Sequence, residues 1–239
     1  MAQLQRLAIA FSQLQDKQIL LKREQLHYLS HVLRLKEGES FIAMDGQGNS
    51  WLAALEAQQG RIIEPLEVVT SELPVAITLI AALPKGNGFD EVVRCCTELG
   101  VTTIMPVIGD RTILNPSPQK LERWRRIATE AAEQSERAII PAILEPVAFS
   151  SAIATVGANY RYLCVARGEH PHLLNAINSL QSGEIVIAIG CEGGWTGAEI
   201  DKAIKLGFQS VSLGSRILRA VTAPIVALSI VAAAFETEK

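Results

Sequence analysis

The chain lacks any pair of cysteines at Cys-x-x-Cys spacing: Cys95 and Cys96 are adjacent, while Cys164 and Cys191 stand alone. That pattern supports neither a zinc site nor a disulfide framework, so reduced core thiols and no metal are expected. No uninterrupted apolar run reaches bilayer length, which argues against a spanning helix. The opening stretch MAQLQRLAIAFSQLQDKQ lacks the basic region, longer apolar core and cleavage pattern of a secretory signal, and a cytoplasmic location is expected. Aromatic residues are scarce at 5%, which disfavours an aromatic-rich all-β fold. Charge of one sign is also scarce: the formal net charge is −3, so no global field points to nucleic acid. Local basic clusters do occur, at Lys22 with Arg23, at Arg34 with Lys36, and at Arg123, Arg125 and Arg126. On helices such clusters are commonly a solvated face.

What is present is a hydrophobic fraction of 49% over 239 residues, enough for a substantial core. Residues 1 to about 70 alternate short strand-like runs with polar turns: SerPheIleAlaMet at 40–44, AspGlyGlnGlyAsn at 45–49, TrpLeuAlaAlaLeu at 51–55, and ArgIleIleGluProLeuGluValVal from 61. This texture predicts a small β-rich module. Within it, residues 27–35 read as a short helix with Leu26, Leu29 and Leu33 inward; His27 and His31 share a face without further ligands. From residue 71 the pattern becomes strand, helix, strand, with helical spacing of Phe89, Val92, Val93, Cys96 and Leu99 and a helix opened by Pro118. Further strands are predicted at 161–166, 185–190 and 209–213, and helices near 171–180, 197–206 and 223–236. The expected fold class is α/β, a mostly parallel sheet covered by helices. The last helix is apolar on most sides, which implies deep packing or a dimer interface.

Two glycine-rich bends compete for the site. GlyAsnGlyPheAspGlu at 86–91 follows a strand and opens a helix, as a dinucleotide fingerprint does, but Glu91 occupies the place of the third small residue. Neither bend carries the GlyLysSer or GlyLysThr of a P-loop. The second stretch, ValIleAlaIleGlyCysGluGlyGlyTrpThrGlyAlaGlu at 186–199, is better specified. Thr196 and Glu199 can form a capping box, and Gly190, Gly193 and Gly194 let backbone approach a ligand. A third segment, ValSerLeuGlySerArgIleLeuArgAlaValThrAla at 211–223, places Gly214, Arg216 and Arg219 after another strand, where two cations can hold phosphate or an acidic group.

These bends, with AlaLeuProLysGly at 82–86, ThrGluLeuGly at 97–100, the Arg111 region and GluArgTrpArgArgIleAlaThrGluAlaAlaGluGlnSer at 122–135, resemble the SPOUT methyltransferases. More closely the chain resembles the ribosomal RNA small subunit methyltransferase E family, which methylates N3 of a uridine in small-subunit ribosomal RNA. The resemblance covers essentially the whole chain. It implies a PUA-like β-barrel over residues 1–70 that helps hold RNA, and a trefoil-knotted methyltransferase domain over residues 71–239. It further implies a cytoplasmic homodimer acting on 16S ribosomal RNA with S-adenosylmethionine as methyl donor.

Carried residue by residue, the cofactor would lie among three loops: Leu163 and Val165; Ile189, Gly190, Glu192, Gly193 and Gly194; and Leu213, Gly214, Ile217 and Leu218. RNA contacts are expected at Arg23, Arg34, Lys85 and Arg111. Arg219 would bind RNA phosphate or stabilise the uracil as charge develops, and Glu192 is a candidate base on chemistry alone, with a loop-shaping role as the alternative. The chain departs from the family pattern at Cys191, where proline is usual, at Trp195 for phenylalanine, and at Val221, where AlaValThrAla replaces ThrGluThrAla. Two rival readings remain at this point: an RNA-binding homologue without methyl transfer, and a nicotinamide-dependent oxidoreductase using Gly86 and Gly88.

Overall fold

A computed structural model of the chain describes residues 4–67 and 71–236. Met1 to Gln3 of the opening stretch, the Val68 and Val69 end of the last strand-like run, and the expected boundary at residue 70 lie outside the described residues. The chain divides into two compact units, one of residues up to Glu72 with Ala132–Ile140, the other of Leu73–Ala131 with the chain from Pro141 onward.

The first unit contains β1 (Arg6–Ala8), β2 (Leu14–Gln15), β3 (Gln18–Leu20), β4 (Ser40–Met44), β5 (Ser50–Glu56) and β6 (Gln59–Leu66). They pair in the order β1-β4-β5-β6-β3-β2. The β1–β4 ladder is parallel and the others antiparallel. The AspGlyGlnGlyAsn turn joins β4 to β5 because the Asp45 carboxylate accepts from Gln47 N (2.8 Å), Asn49 N (3.1 Å) and Asn49 Nδ2 (2.6 Å). Such side-chain mimicry of a backbone turn is why Asp and Asn mark turns. Alternate residues of these strands bury Leu7, Ile19, Phe41, Ala43, Ala53 and Leu55 in one core. The helical segment begins earlier than its spacing indicates, as α1 (Arg23–His27), and continues through a π turn at Tyr28–Val32. Leu29 is buried there, with Leu26 and Leu33 packed against the same core.

No local pattern signals that residues 132–140 join this unit. Beside the Arg6–Glu136 ion pair at 2.8 Å and the Ile140 N–Gly46 O bond at 3.0 Å, the connection uses Arg137, 2% exposed, whose Nη2 donates to Glu72 Oε2 at 2.6 Å while Nε donates to both carboxylate oxygens at 3.2 Å. Ile139 N donates to the same carboxylate at 3.2 Å. A pair this buried holds because each charge has its partner; removing either one leaves an uncompensated charge and costs about 3–5 kcal/mol.

The second unit runs β7 (Val75–Ala82), α2 (Gly88–Glu98), β8 (Thr103–Ile108), α3 (Pro118–Gln134, whose last three residues belong to the first unit), β9 (Ala142–Ile143), β10 (Val147–Ala148), α4 (Phe149–Thr155), β11 (Tyr160–Cys164), α5 (Leu173–Ile177), β12 (Gly183–Ile189), α6 (Gly197–Lys205), β13 (Gln209–Val211) and α7 (Thr222–Glu236). Its sheet has the order β10-β8-β7-β12-β11-β13, with β9 also on β8, and every ladder is parallel. The central strands β7 and β12 are apolar almost throughout, as strands covered on both faces must be. Two-residue β9 and β10 and the seven-residue α4 were not separable in the sequence, being too short for periodicity to register. All four cysteines are free. No helix among the described residues is long and apolar enough to cross a membrane.

Candidate active site

Strands β11 and β12 lie side by side, Leu163 beside Ala188, and β13 flanks β11 with Val211 beside Cys164. Because the three are parallel, the loops leaving them emerge at the same end of the sheet, where open α/β sheets hold ligands. Those loops enclose a cavity of about 320 Å³. The loop after β11 contributes Val165, with Cys164 and Arg167 beside it. Ile189, Gly190, Glu192, Gly193, Gly194 and Trp195 come from the bend after β12, and Leu213, Gly214, Arg216, Ile217 and Leu218 from the segment after β13. Leu163 is placed elsewhere: it is 0% exposed and packs with Val186 and Ala188 inside the sheet, one residue short of the loop.

The β12 bend owes its shape to glycine at two positions. A Cβ on Gly190 would stand 3.2 Å from the Gly194 backbone, so the bend folds back on itself this closely because position 190 has none. Gly194 adopts φ +65° and donates its N–H to Cys191 O at 2.8 Å, closing a turn that L side chains resist. At Gly194 a Cβ would meet nothing within 4 Å, so the backbone itself forms the wall there.

Against this bend stands the loop after β8, whose Arg111 also lines the cavity. Arg111 Nη1 donates to the carbonyls of Gly193 at 2.6 Å and Trp195 at 3.3 Å, and its methylenes lie where a Gly193 side chain would be. Asp110 N donates to Glu199 Oε1 at 2.9 Å, while Glu199 Oε2 accepts from Thr196 N at 2.7 Å. Glu199 N in turn donates to Thr196 Oγ1 at 3.3 Å, completing the capping box at the start of α6. Glu199 is only 8% exposed, so these donors are what make its burial tolerable. Cys191, where the family carries proline, donates its thiol to Arg111 O at 3.3 Å. Trp195, itself part of the lining, stacks on Phe149 at a centroid distance of 4.0 Å. Burial pushes the Cys164 thiol up to about 12, keeping it protonated at neutral pH.

The remaining expected residues are dispersed. Glu192 lines the cavity and accepts from Lys85 N at 3.0 Å. Lys85 itself is exposed and outside the wall, and Arg219 is exposed one residue beyond Leu218. In the first unit Arg23 opens α1 and Arg34 follows the π turn with φ +58°, both exposed. The α3 cluster is paired with acids: Arg123 with Asp90 at 2.8 Å, Arg125 with Glu122 at 2.6 Å, and Arg126 with Glu130 at 3.8 Å. The rival bend at 86–91 does not reach the cavity. Arg167 ends the first of the three loops that the family resemblance marks, Leu163 to Arg167; a lone arginine in ValAlaArgGly has no pattern of its own, and the loop's position places it at the cavity.

A cavity walled by glycine backbone at the ends of an all-parallel sheet, in a chain with a separate β-rich unit, defines the class. The family model of an RNA methyltransferase domain matches residues 71–232, and that of an RNA methyltransferase PUA domain matches residues 21–63. The chain is 47% identical to ribosomal RNA small subunit methyltransferase E of Synechocystis over 97% of its own length and 78% of that protein. It is 30% identical to the Bacillus subtilis enzyme of the same name, over 90% of this chain and 89% of the other. The crystal structure of the Neisseria gonorrhoeae enzyme of that name, bound to S-adenosylmethionine, superposes with a TM-score of 0.85 at 30% identity, covering 95% of this chain and 96% of that one. The chain belongs to the ribosomal RNA small subunit methyltransferase E family.

Proposed function

We propose that this protein transfers the methyl group of S-adenosylmethionine to N3 of a uridine in 16S ribosomal RNA of the small subunit. The observation that carries the reading is the convergence of three strand-end loops on one cavity of about 320 Å³, walled on one side by glycine backbone. The residues fit the cofactor: Gly194 and Gly214, with φ +65° and +111°, leave open space where side chains would stand. Val165, Ile189, Leu213, Ile217 and Leu218 supply apolar contact, and the exposed peptide groups of the bends supply donors and acceptors for its polar ends.

S-adenosylmethionine supplies an already electrophilic methyl, so the protein's task is alignment and management of the N3 proton. The loop of Asp110 and Arg111 fixes the β12 bend, so the cavity wall is set before a ligand arrives. Arg219, free on the surface beside the lining residue Leu218, is placed to meet the RNA and stabilise negative charge on the base. Glu192 holds the Lys85 amide, which supports a loop-shaping role for it. Residues 1–70, with Arg23 and Arg34 exposed, form the RNA-holding part and residues 71–239 the knotted transferase. A cytoplasmic homodimer completes the reading, supported by α7, which leaves Ile225, Val226, Ile230 and Phe235 only half-buried.

Titration calorimetry with S-adenosylmethionine and with NAD, followed by single-turnover methylation of small subunits and mass spectrometry of the product, tests this. Micromolar binding of the first ligand alone, roughly 8 kcal/mol, and product at uridine N3 are expected. Preference for NAD, cofactor binding without methyl transfer, or product at another atom would overturn it.

A further inference from the structure

The charge of the cavity does not match its cofactor. Among the described residues its wall carries Arg111, Arg167 and Arg216 against a single carboxylate, Glu192, in a chain whose net charge is −3. S-adenosylmethionine bears a sulfonium and an ammonium against one carboxylate and is itself a cation, so an excess of arginine repels it unless another ligand supplies the anion. The three arginines are not equivalent. Arg111 is held by the Gly193 and Trp195 carbonyls and serves the bend. Arg167 and Arg216 are exposed, and among the described residues neither guanidinium has a hydrogen bond or an acidic partner. Leaving two such groups at one cavity, while arginines 123, 125 and 126 are each matched with an acid, is what a surface awaiting an anion looks like. Beside Arg216, Ile217 lines the same cavity and is 63% exposed, a large apolar side chain that stays hydrated until something covers it.

We propose that Arg167 and Arg216 form a phosphate-binding rim that seats the RNA strand over the cavity, with Ile217 meeting the sugar or base between. The proposal rests on the methyltransferase reading and sharpens it by naming the part of the substrate held and the side chains that hold it. Guanidinium forks match phosphate oxygens in pairs, and contacts of this kind fix the register of a strand without reading its sequence. RNA phosphate held at the rim would offset the positive charge of both the arginines and the cofactor, so the two ligands should favour each other.

The test uses the full chain and its variants R167Q, R216Q and the double variant, with R126Q as a control for loss of one surface charge elsewhere. Binding of a 16S RNA transcript is followed across a salt series, and S-adenosylmethionine binding by calorimetry. For each rim arginine removed, RNA affinity at 0.1 M salt is expected to fall roughly fivefold and the slope of log K against log salt to become shallower by about 0.7, the loss of one single-strand phosphate contact. Cofactor affinity without RNA should stay the same or rise, which also shows that the variants are folded, and R126Q should match the unmodified chain. Weakened cofactor binding with an unchanged salt slope would overturn the proposal in favour of a carboxylate site for the cofactor. An unchanged slope with unchanged cofactor binding would overturn it outright. If the unmodified chain binds neither ligand, the methyltransferase reading itself falls; if it binds both and the double variant behaves like R126Q, only the rim falls.

Discussion

Two glycine-bearing bends leave the same end of the same sheet, one after β7 and the other after its neighbour β12, and each opens a helix. They look alike in sequence and differ in what occupies the space their glycines leave. At Gly88 a Cβ would stand 2.7 Å from Val221 Cγ2 and 3.6 Å from Pro84 Cγ, so that gap is filled by the protein's own side chains. Lys120 Nζ adds a donor to Gly86 O at 3.2 Å. At Gly194, which lines the cavity, the gap is open. A glycine can serve close packing or ligand access, and the motif does not say which.

Changing each glycine should separate the two roles. The largest effect belongs to Gly194→Val: a β-branched residue held at φ +65° costs about 2 kcal/mol, and relaxation of the bend moves the wall. S-adenosylmethionine affinity is expected to fall by roughly 30-fold or more, with the circular dichroism of the fold retained; unchanged affinity in calorimetry would erase the contrast between the bends.

Gly88→Ala should do the reverse, lowering stability by about 1–3 kcal/mol through overpacking against Val221 while leaving cofactor affinity within about twofold. Adding Val221→Ala should return most of that loss, and the double-mutant cycle from urea unfolding measures the coupling. Additive losses would show that Val221 does not fill the gap. The result also bears on the departure from the family pattern: here position 221 packs against the start of α2, where an acid is usual.

The smallest effect is expected at Cys191→Ala, which deletes one weak thiol donor to Arg111 O at 3.3 Å. Stability should change by about 1 kcal/mol or less and cofactor affinity by less than about threefold. A larger loss would mean that the thiol, and not the Arg111 guanidinium, holds the bend.

Strand and helix types in the second unit were legible because β7 and β12 are long apolar runs and α2, α3 and α6 repeat their apolar residues at helical spacing. The Thr196–Glu199 capping box was legible for the same reason: both partners lie within one turn. Elements without internal period, such as β9, β10 and α4, left no mark. Nor did the π turn at Tyr28–Val32, where the backbone departs from the spacing that Leu26, Leu29 and Leu33 imply.

By itself, then, the sequence determined what depends on neighbours along the chain: the α/β class, the turn at Asp45, the cap at Thr196 and the ordered motifs of the family. Tertiary structure decided everything that depends on residues far apart meeting. It buried Arg137 against Glu72, 65 positions away, and joined Ala132–Ile140 to the first unit. It set Arg111 against Gly193 and, among the described residues, left Arg167 and Arg216 at one cavity without acidic partners. Spacing along a chain fixes local hydrogen bonds, whereas the worth of a glycine or an arginine depends on which distant atoms fill, or fail to fill, the space beside it.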